Sequence, residues 1–233
     1  MIYIYLHHNT YPSYVRNHRI QALIIGSFFY MKRVNVYVDG FNFYFGLRSK
    51  KWKKYYWLDV VAFFEKFMKP DQELQNVFYC TAVQTNTGKK DRQDLFFSAN
   101  KLNPKFKLIF GKFLKKEVSY GGNKYFTYEE KQTDVNIAVQ LIRNVVMDKC
   151  DISIIVSADS DLVPPIEFIR ELNPNHKIFC YFPPKRYSTD LSQRSDAVQN
   201  LERYEQRFKN SMLPDKLTLP NGFIIEIPDD WKV

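Results

Sequence analysis

The fold of this chain is decided by the stretch Ile152-Ser153-Ile154-Ile155-Val156-Ser157-Ala158-Asp159-Ser160-Asp161. Its first five residues are rich in Ile and Val, as in a strand that is buried on both faces of a parallel sheet. The strand stops at two aspartates separated by one serine, and a helical pattern follows at once. Open parallel sheets carry their functional sites just beyond the carboxyl ends of their strands. We therefore expect a site at Asp159 and Asp161.

A second apolar strand, Val34–Val38, ends in the same way on an aspartate, Asp39. Carboxylates that meet at one sheet edge repel each other, and they cannot all stay ionised at low cost without a cation nearby. Hard cations such as Mg²⁺ bind oxygen ligands at about 2.0–2.1 Å. The two strand ends together predict a metal site in outline.

Strand and helix patterns alternate from residue 31 onward, which predicts an α/β fold with a mostly parallel central sheet between two helix layers. A turn at Tyr120-Gly121-Gly122-Asn123 predicts a small antiparallel excursion that ends near Tyr128. The predicted strands are 34–38, 76–84, 106–114, 152–156 and 177–181, and the predicted helices are 41–47, 58–68, 91–101, 133–147 and 162–172.

The composition narrows the range of functions. A net charge of +9 favours a polyanionic partner, such as nucleic acid or an anionic membrane surface. His176 is the only histidine after residue 18, which argues against histidine bases and His-rich zinc sites. The three cysteines form no Cys-x-x-Cys pair, and we interpret them as small buried hydrophobic residues of a cytoplasmic protein. No Gly-x-x-x-x-Gly-Lys loop is present, which excludes nucleoside triphosphate motors.

The two ends of the chain differ from its centre. Residues 1–30 contain no acidic side chain, and their apolar stretch Ala22–Tyr30 is too short to span a bilayer. We interpret residues 1–30 as a poorly ordered leader, with Met31 as an alternative start, and residues 31–210 as one folded domain. Residues 211–233 are expected to form a tail with a short hairpin that turns at Asn221-Gly222.

A further acidic position, Asp134, lies in the first turn of the most amphipathic predicted helix, with Thr133 as a plausible N-cap. An acidic residue there also simply complements the helix dipole, and Asp161 has a similar alternative role as an N-cap. Asp39 and Asp159 have no such alternative by sequence. The capping explanation weakens when all four aspartates are considered together.

Three ordered motifs resemble the NYN domain family of the PIN-like, 5′-nuclease-like fold group. They are Val36-Tyr37-Val38-Asp39-Gly40-Phe41-Asn42, then Lys131-x-x-Asp134-Val135, then Val156-Ser157-Ala158-Asp159-Ser160-Asp161, and the resemblance covers about residues 32–209. It implies a Rossmann-like three-layer sandwich whose acidic pocket binds Mg²⁺ or Mn²⁺ and hydrolyses RNA phosphodiester bonds.

The resemblance also implies roles for individual residues. Asp39, Asp134, Asp159 and Asp161 would be the catalytic, metal-binding carboxylates. Asn42 would steady the first carboxylate or contact substrate, Ser157 would orient the turn at Asp159 and Asp161, and Asp196 would be an outer member of the site. Ala158 replaces a frequent glycine, and Gln140 replaces a frequent acidic residue, which would leave the pocket one charge short if that position contributes.

Two basic segments are candidate RNA-binding surfaces. Cations and aromatic rings alternate in the first, as in surfaces that hold phosphates and stack on unpaired bases; its residues are Lys50, Lys51, Trp52, Lys53, Lys54 and Tyr55. The alternative is a solvated loop whose aromatic residues anchor the next helix. The second segment, Lys185-Arg186, follows a parallel strand and is expected at the functional edge of the sheet.

Three functions remain open at this point. We favour a metal-dependent endoribonuclease that acts on single-stranded RNA. The second is an RNA-binding regulator of the same fold that cleaves slowly or not at all, for which Gln140 is the main argument. The third is a hydrolase of small phosphate esters, which is disfavoured because Asp39 is followed by Gly40 and Phe41 rather than by the Asp-x-Asp of such enzymes.

Overall fold

A computed structural model describes residues 30–84, 86–120 and 123–232 of the chain. Residues 1–29 of the expected leader lie outside the described residues. The described strands are β1 (Lys32–Asp39), β2 (Gln72–Thr81), β3 (Phe106–Phe110), β4 (Lys112–Tyr120), β5 (Asn123–Lys131), β6 (Ile152–Val156), β7 (Lys177–Phe182), β8 (Ala197–Asn200), β9 (Lys216–Thr218) and β10 (Ile224–Glu226).

Six of these strands form one all-parallel sheet in the order β3-β2-β1-β6-β7-β8, as the alternating pattern predicts. β1 and β6 lie at its centre, and both are apolar because helices cover both of their faces. Val34, Val36 and Val38 of β1 are fully buried, and so is Ile155 of β6. The predicted α/β class and parallel sheet are confirmed.

Helices pack on both faces of this sheet and make it a three-layer sandwich. They are α1 (Gly40–Ser49), α2 (Val60–Glu65), α3 (Thr87–Asn100), α4 (Thr133–Val146), α5 (Val163–Leu172), α6 (Thr189–Arg194) and α7 (Glu205–Lys209). The first core contains apolar side chains of α1, α2 and α3 against one face. The second core contains those of α4, α5 and α6 against the other face.

The prediction of a single strand over 106–114 is wrong, because the chain leaves the central sheet at Gly111. β3 ends at Phe110, and β4 pairs only with β5 as a separate antiparallel hairpin. The Gly111 amide donates to the Thr81 carbonyl at 2.7 Å. A Cβ at this position would lie 2.5 Å from the Lys131 carbonyl oxygen, so only glycine fits where the two ends of the hairpin meet.

The carboxyl-terminal part of the chain completes the first core. The short strand β8 and the helices α6 and α7 carry no clear periodic pattern, and the sequence did not predict them. β9 and β10 pair antiparallel. Leu213, Ile225 and Ile227 from this region are buried with α2 and α3 in the first core. Residues 211–232 are therefore packed onto the sandwich.

Candidate metal centre

A chain of hydrogen bonds connects the carboxyl ends of the two central strands. Val38 and Val156 are register partners, so Asp39 and Ser157 emerge side by side. The buried Ser157 hydroxyl donates to Asp39 Oδ2 at 2.9 Å, and it accepts the Asp159 amide at 3.1 Å. Asp159 Oδ1 in turn accepts the Asp161 amide at 3.0 Å. One buried hydroxyl thus connects the β1 carboxylate to the turn that carries the other two.

Asn42 ties α1 to the same turn. Its backbone amide donates to Asp39 Oδ1 at 2.9 Å, which makes Asp39 the N-cap of α1. Its side-chain oxygen accepts the Ala158 amide at 3.2 Å. Asn42 therefore holds the first carboxylate and the loop after β6 in a fixed relation.

Three carboxylates converge at this edge of the sheet. One oxygen from each of Asp134, Asp159 and Asp161 lies within 4.8 Å of the others. Asp134 reaches the cluster from the first turn of α4, whereas Asp159 and Asp161 come from the loop after β6. Asp39 is not a member of this group, and its two oxygens accept hydrogen bonds from Ser157 and the Asn42 amide.

The expected capping roles of these residues are partly wrong. Asp39 and Asp159, which had no capping role by sequence, both accept backbone amides as N-caps. Asp161 does not cap α5, which begins at Val163 without a side-chain cap. Thr133 does not cap α4 either, since the N-cap is Gln132 in a left-handed conformation with φ 77°. N-cap preferences consider only the residue at the start of a helix. They therefore do not predict the short turn after Asp159, or the left-handed residue that joins the hairpin to α4.

The site disfavours negative charge in the absence of a cation. Burial raises the pKa of Asp39 to about 6, although the Asn42 and Ser157 hydrogen bonds oppose the shift. Burial also raises the pKa of Asp134 to about 6, and the carboxylate of Asp159 adds to this shift. These are the effects expected where carboxylates crowd together under partial burial.

A further carboxylate, Glu130, borders the site and was missed by sequence analysis. Its charge contributes to the raised pKa of both Asp39 and Asp134. Its Oε1 atom is buried and has no hydrogen-bond partner among the described residues. Glu130 lies on β5 and Asp134 on α4, and no single periodicity links two residues across a change from strand to helix.

The donor set fits a hard divalent cation. Mg²⁺ and Mn²⁺ prefer carboxylate oxygens and water as ligands. Two ligands on opposite sides of one ion, each about 2.1 Å from it, are about 4.2 Å apart. The oxygens of Asp134, Asp159 and Asp161 lie within 4.8 Å of one another, which is close to this separation. The unpartnered Glu130 oxygen adds an acceptor beside them.

Asp196 was expected as an outer member of the site, and this prediction is wrong. Its Oδ2 atom accepts the Ile178 amide at 2.8 Å and bonds to Arg170, and its Oδ1 atom accepts from Lys177 at 3.1 Å. Lys177 and Ile178 begin β7, so Asp196 lies at the amino edge of the sheet. It pairs with cations there, and the sequence pattern alone could not tell which edge it occupies.

The predicted stacking residues of the first basic segment are also corrected. Trp52 and Tyr55 are only 7% and 5% exposed and pack against Phe208 in the first core. They anchor the segment and are not available to stack on bases. Lys50 lies over the Trp52 ring, and Lys54 pairs with Glu205 at 2.9 Å.

The other lysines of the segment, Lys51 and Lys53, are exposed. The segment follows the ten-residue helix α1, so it lies about 15 Å from Asp39 along the helix axis. Its lysines therefore stand at a distance from the carboxylates.

Lys185 and Arg186 follow β7 at the same edge of the sheet as the carboxylates. Lys185 is exposed, and its amide donates to Glu202 at 3.1 Å. Arg186 is half-buried, and its Nε atom has no hydrogen-bond partner among the described residues. The preceding prolines lie so close to α1 that a Cβ on Gly46 would stand 2.8 Å from Pro183 Cβ.

Gln140 contacts residues further along α4 than Asp134. Its side-chain amide donates to Asn144 at 3.1 Å, and Asn144 donates to the Tyr37 hydroxyl at 2.9 Å. This network leads into the second core and away from Asp159 and Asp161. Gln140 is half-buried and bonds to Asn144, and it is not among the three clustered carboxylate positions.

Parts of this chain are similar to known proteins. The chain is 27% identical over 176 residues to 6-hydroxy-3-succinoylpyridine 3-monooxygenase of Pseudomonas putida, which covers 59% of this chain and 55% of that protein. The chain thus spans little more than half the length of this relative. A crystal structure of a protein of unknown function from Vibrio parahaemolyticus is 18% identical, with a TM-score of 0.49, and covers 73% of this chain and 93% of that one.

Among the described helices, none is both long and apolar enough to cross a membrane. The sequence model of the NYN domain matches residues 33–202, which include all but the first residue of β1, the hairpin, the aspartate cluster and the strands β6 to β8. This match covers well over half of the chain, and NYN domains have a nuclease-type fold. The chain belongs to the NYN domain family.

Proposed function

We propose that this protein is an endoribonuclease that hydrolyses single-stranded RNA with the help of Mg²⁺ or Mn²⁺. The observation that carries the proposal is the convergence of Asp134, Asp159 and Asp161, whose oxygens lie within 4.8 Å of one another at the carboxyl edge of a nuclease-type fold. These three residues would hold the cation. A bound cation supplies Lewis-acid chemistry, since it activates water for in-line attack and offsets the charge that develops on the phosphate.

The remaining residues of the site orient this cluster. Asp39 accepts from Ser157, and Ser157 accepts the Asp159 amide, so Asp39 acts through them as a positioning residue. Asn42 holds the Ala158 amide and keeps the loop after β6 against α1. Glu130 brings a further carboxylate to the border of the site.

RNA is the proposed substrate because the chain is strongly basic overall. Its net charge of +9 attracts a polyanion and offsets the repulsion between phosphate and the aspartates. Lys185 and Arg186 follow β7 at the same edge of the sheet as the aspartates, and we propose them as phosphate contacts. The three cysteines are free and buried, which supports a reducing compartment, and we place the activity in the cytoplasm.

The test is cleavage of end-labelled single-stranded RNA by the purified full chain in Mn²⁺ and in Mg²⁺, with and without EDTA. Asp159→Asn should abolish cleavage, because it removes a cation ligand, while RNA affinity is retained or increased. Asp94→Asn, at an exposed position on α3, is the matched control and should cleave like the wild type. Cleavage that persists in excess EDTA would refute the metal centre.

The same experiment tests the alternative of a regulator that binds RNA without cleaving it. Tight RNA binding by the wild type, with no cleavage in either metal, would favour the regulator and reject the nuclease.

A further inference from the structure

A cavity of about 320 Å³ opens at the start of α1, directly after Asp39 and next to the carboxyl end of β2. Gly40 and Phe41, which directly follow Asp39, line it together with Thr81, the last residue of β2. Asp39 and Cys80 are register partners, and neighbouring strands lie about 4.8 Å apart. The cavity therefore begins within about one strand spacing of Asp39.

Aromatic rings form one side of this cavity. Tyr44 and Tyr56 lie with ring centroids 5.1 Å apart, and Trp231 meets Tyr56 edge-on at 5.7 Å. All three rings are half-buried, so part of each faces the open space. Burial raises the pKa of Tyr56 to about 12, so this side of the cavity stays uncharged. Such a wall suits a planar ring, because aromatic faces stack on one another.

The rim of the cavity is positively charged. Arg48, Lys53 and Lys89 line it and are exposed, and no carboxylate of the described residues forms an ion pair with them. Arg92 is paired with Asp230 at 2.7 Å. The combination of an aromatic wall and a cationic rim matches a planar ring that carries phosphate groups.

Polar groups lie at the end of the cavity next to β2. Gln93 accepts the Gln84 amide at 2.9 Å and donates to the Ala82 carbonyl at 3.1 Å, which holds the loop after β2 in place. The side chains of Thr81 and Gln84 also line the cavity. They offer a donor and acceptors to the edge of a bound ring.

We propose that this cavity binds one nucleobase of the RNA chain, next to the phosphate that the aspartate cluster cleaves. The inference rests on the proposed function, since it takes single-stranded RNA as the substrate. Its volume is near the lower end of the range for ligand sites, about 300–1,000 Å³, which suits a single base. Tyr44 and Tyr56 would stack on the base, and Lys89 would neutralise a flanking phosphate.

The experiment measures binding of a fluorescent single-stranded octanucleotide to the full chain. EDTA is present to remove divalent cations, so the RNA stays intact and the readout does not depend on cleavage. Tyr44→Leu should weaken binding about 5- to 150-fold, which corresponds to the 1–3 kcal/mol that stacking on one base contributes. Phe223→Leu is the matched control, because Phe223 is 63% exposed and does not line the cavity. Lys89→Gln tests the rim separately and should lower the slope of log affinity against log salt by about one unit.

A series of octanucleotides with one abasic position each identifies the bound base. In the wild type, one abasic position should weaken binding as much as Tyr44→Leu does. The same abasic position should cause no further loss of affinity in the Tyr44→Leu protein, because the stacking between the base and the Tyr44 ring is already absent there. A melting experiment confirms that both variants are folded.

Three results would overturn the inference. They are wild-type binding that no abasic position affects, a Tyr44→Leu protein that binds RNA like Phe223→Leu, and a free nucleoside monophosphate whose binding Tyr44→Leu weakens but which does not displace the octanucleotide. The last result would assign the cavity to a separate nucleotide. RNA that is bound with abasic sensitivity but never cleaved would refute only the nuclease, whereas cleavage without abasic sensitivity would refute only the base site.

Discussion

At the scale of single residues, the buried hydroxyl of Ser157 connects the carboxylates of the candidate site. It donates to Asp39 and accepts the Asp159 amide, so the position of the aspartate cluster depends on a side chain that cannot itself bind a cation strongly. The sequence placed Ser157 correctly as a residue between strand and turn. Its partner across the sheet followed only from the register of β1 against β6.

Ser157→Ala should therefore lower kcat for RNA cleavage at least tenfold and raise the Mn²⁺ concentration needed. The free energy of unfolding should fall by about 1–3 kcal/mol, since Asp39 and the Asp159 amide lose a buried partner. Ser153→Ala is a matched control, because Ser153 lies on β6, the strand just before Ser157, and bonds to His176 at 2.9 Å near the other end of that strand. Equal losses of kcat in both variants would show that Ser157 only stabilises the fold.

His176 allows a prediction of pH dependence that does not involve the site. Burial lowers the pKa of His176 from 6.5 to about 4, and the positive charge of Arg170 adds to this shift. The negative charges of Asp151, Asp196 and Asp148 oppose it. The unfolded chain takes up a proton on His176 below pH 6.5, whereas the folded chain keeps the ring neutral until about pH 4. Stability is therefore lost as the pH falls through this window, by about 1.4 kcal/mol per pH unit.

The measurement is urea unfolding of the wild type and of His176→Gln at pH 7, 5.5 and 4.5. The wild type should lose about 2–3 kcal/mol relative to the variant between the first and last pH values. Parallel pH profiles for the two proteins would show that His176 is not held neutral by the fold.

At the scale of elements, the β4–β5 hairpin and helix α4 together decide where Asp134 stands. The hairpin leaves the sheet at Gly111 and returns at Lys131, and α4 starts directly afterwards behind the left-handed Gln132. Thr133 Oγ1 is buried without a hydrogen-bond partner among the described residues, so it does not cap the helix. The start of α4 is positioned instead by backbone packing against Gly111.

Gly111→Ala should disturb this junction. The added Cβ would lie 2.5 Å from the Lys131 carbonyl and 3.0 Å from Thr133 Oγ1, so the backbone before Asp134 must shift. We expect a higher Mn²⁺ requirement for cleavage and a lower melting temperature. Gly88→Ala, whose Cβ would meet only the end of the Arg92 side chain at 3.7 Å and the Asn86 side chain at 4.0 Å, is the control and should leave both unchanged or raise stability slightly. An unchanged metal requirement in Gly111→Ala would mean that the junction does not position Asp134.

At the scale of the whole molecule, the positive charge is spread over several surfaces, and only some of it lies at the candidate site. The first basic segment is held down by Trp52 and Tyr55 at the far end of α1. Its lysines can contact RNA only if the RNA strand runs about 15 Å beyond the aspartates.

Alanine at Lys50, Lys51, Lys53 and Lys54 together should weaken RNA binding and reduce the slope of log affinity against log salt by about one unit for each phosphate that is no longer neutralised. A matched control removes the same charge outside the segment by placing alanine at the exposed residues Lys66, Lys69, Lys101 and Lys107. Both variants are compared by salt titration of RNA binding. Equal slopes in the two variants would mean that the segment attracts RNA only through net charge.

What the sequence determined by itself was local. The apolar runs of β1 and β6 have one stable environment, the interior of a parallel sheet covered on both faces, and parallel strands bring their carboxyl ends to one edge. These two physical constraints are sufficient to place Asp39, Asp159 and Asp161 at the same edge of the sheet.

Only the tertiary structure decided the rest. It separated Asp39, which caps α1 and accepts a hydrogen bond from Ser157, from the three clustered aspartates. It also placed Asp196 at the opposite edge of the sheet. It also buried Trp52 and Tyr55 and brought Glu130 to the site. Each of these outcomes depends on contacts between segments far apart in the chain, and the direction of one side chain relative to a distant strand is not encoded in any local pattern.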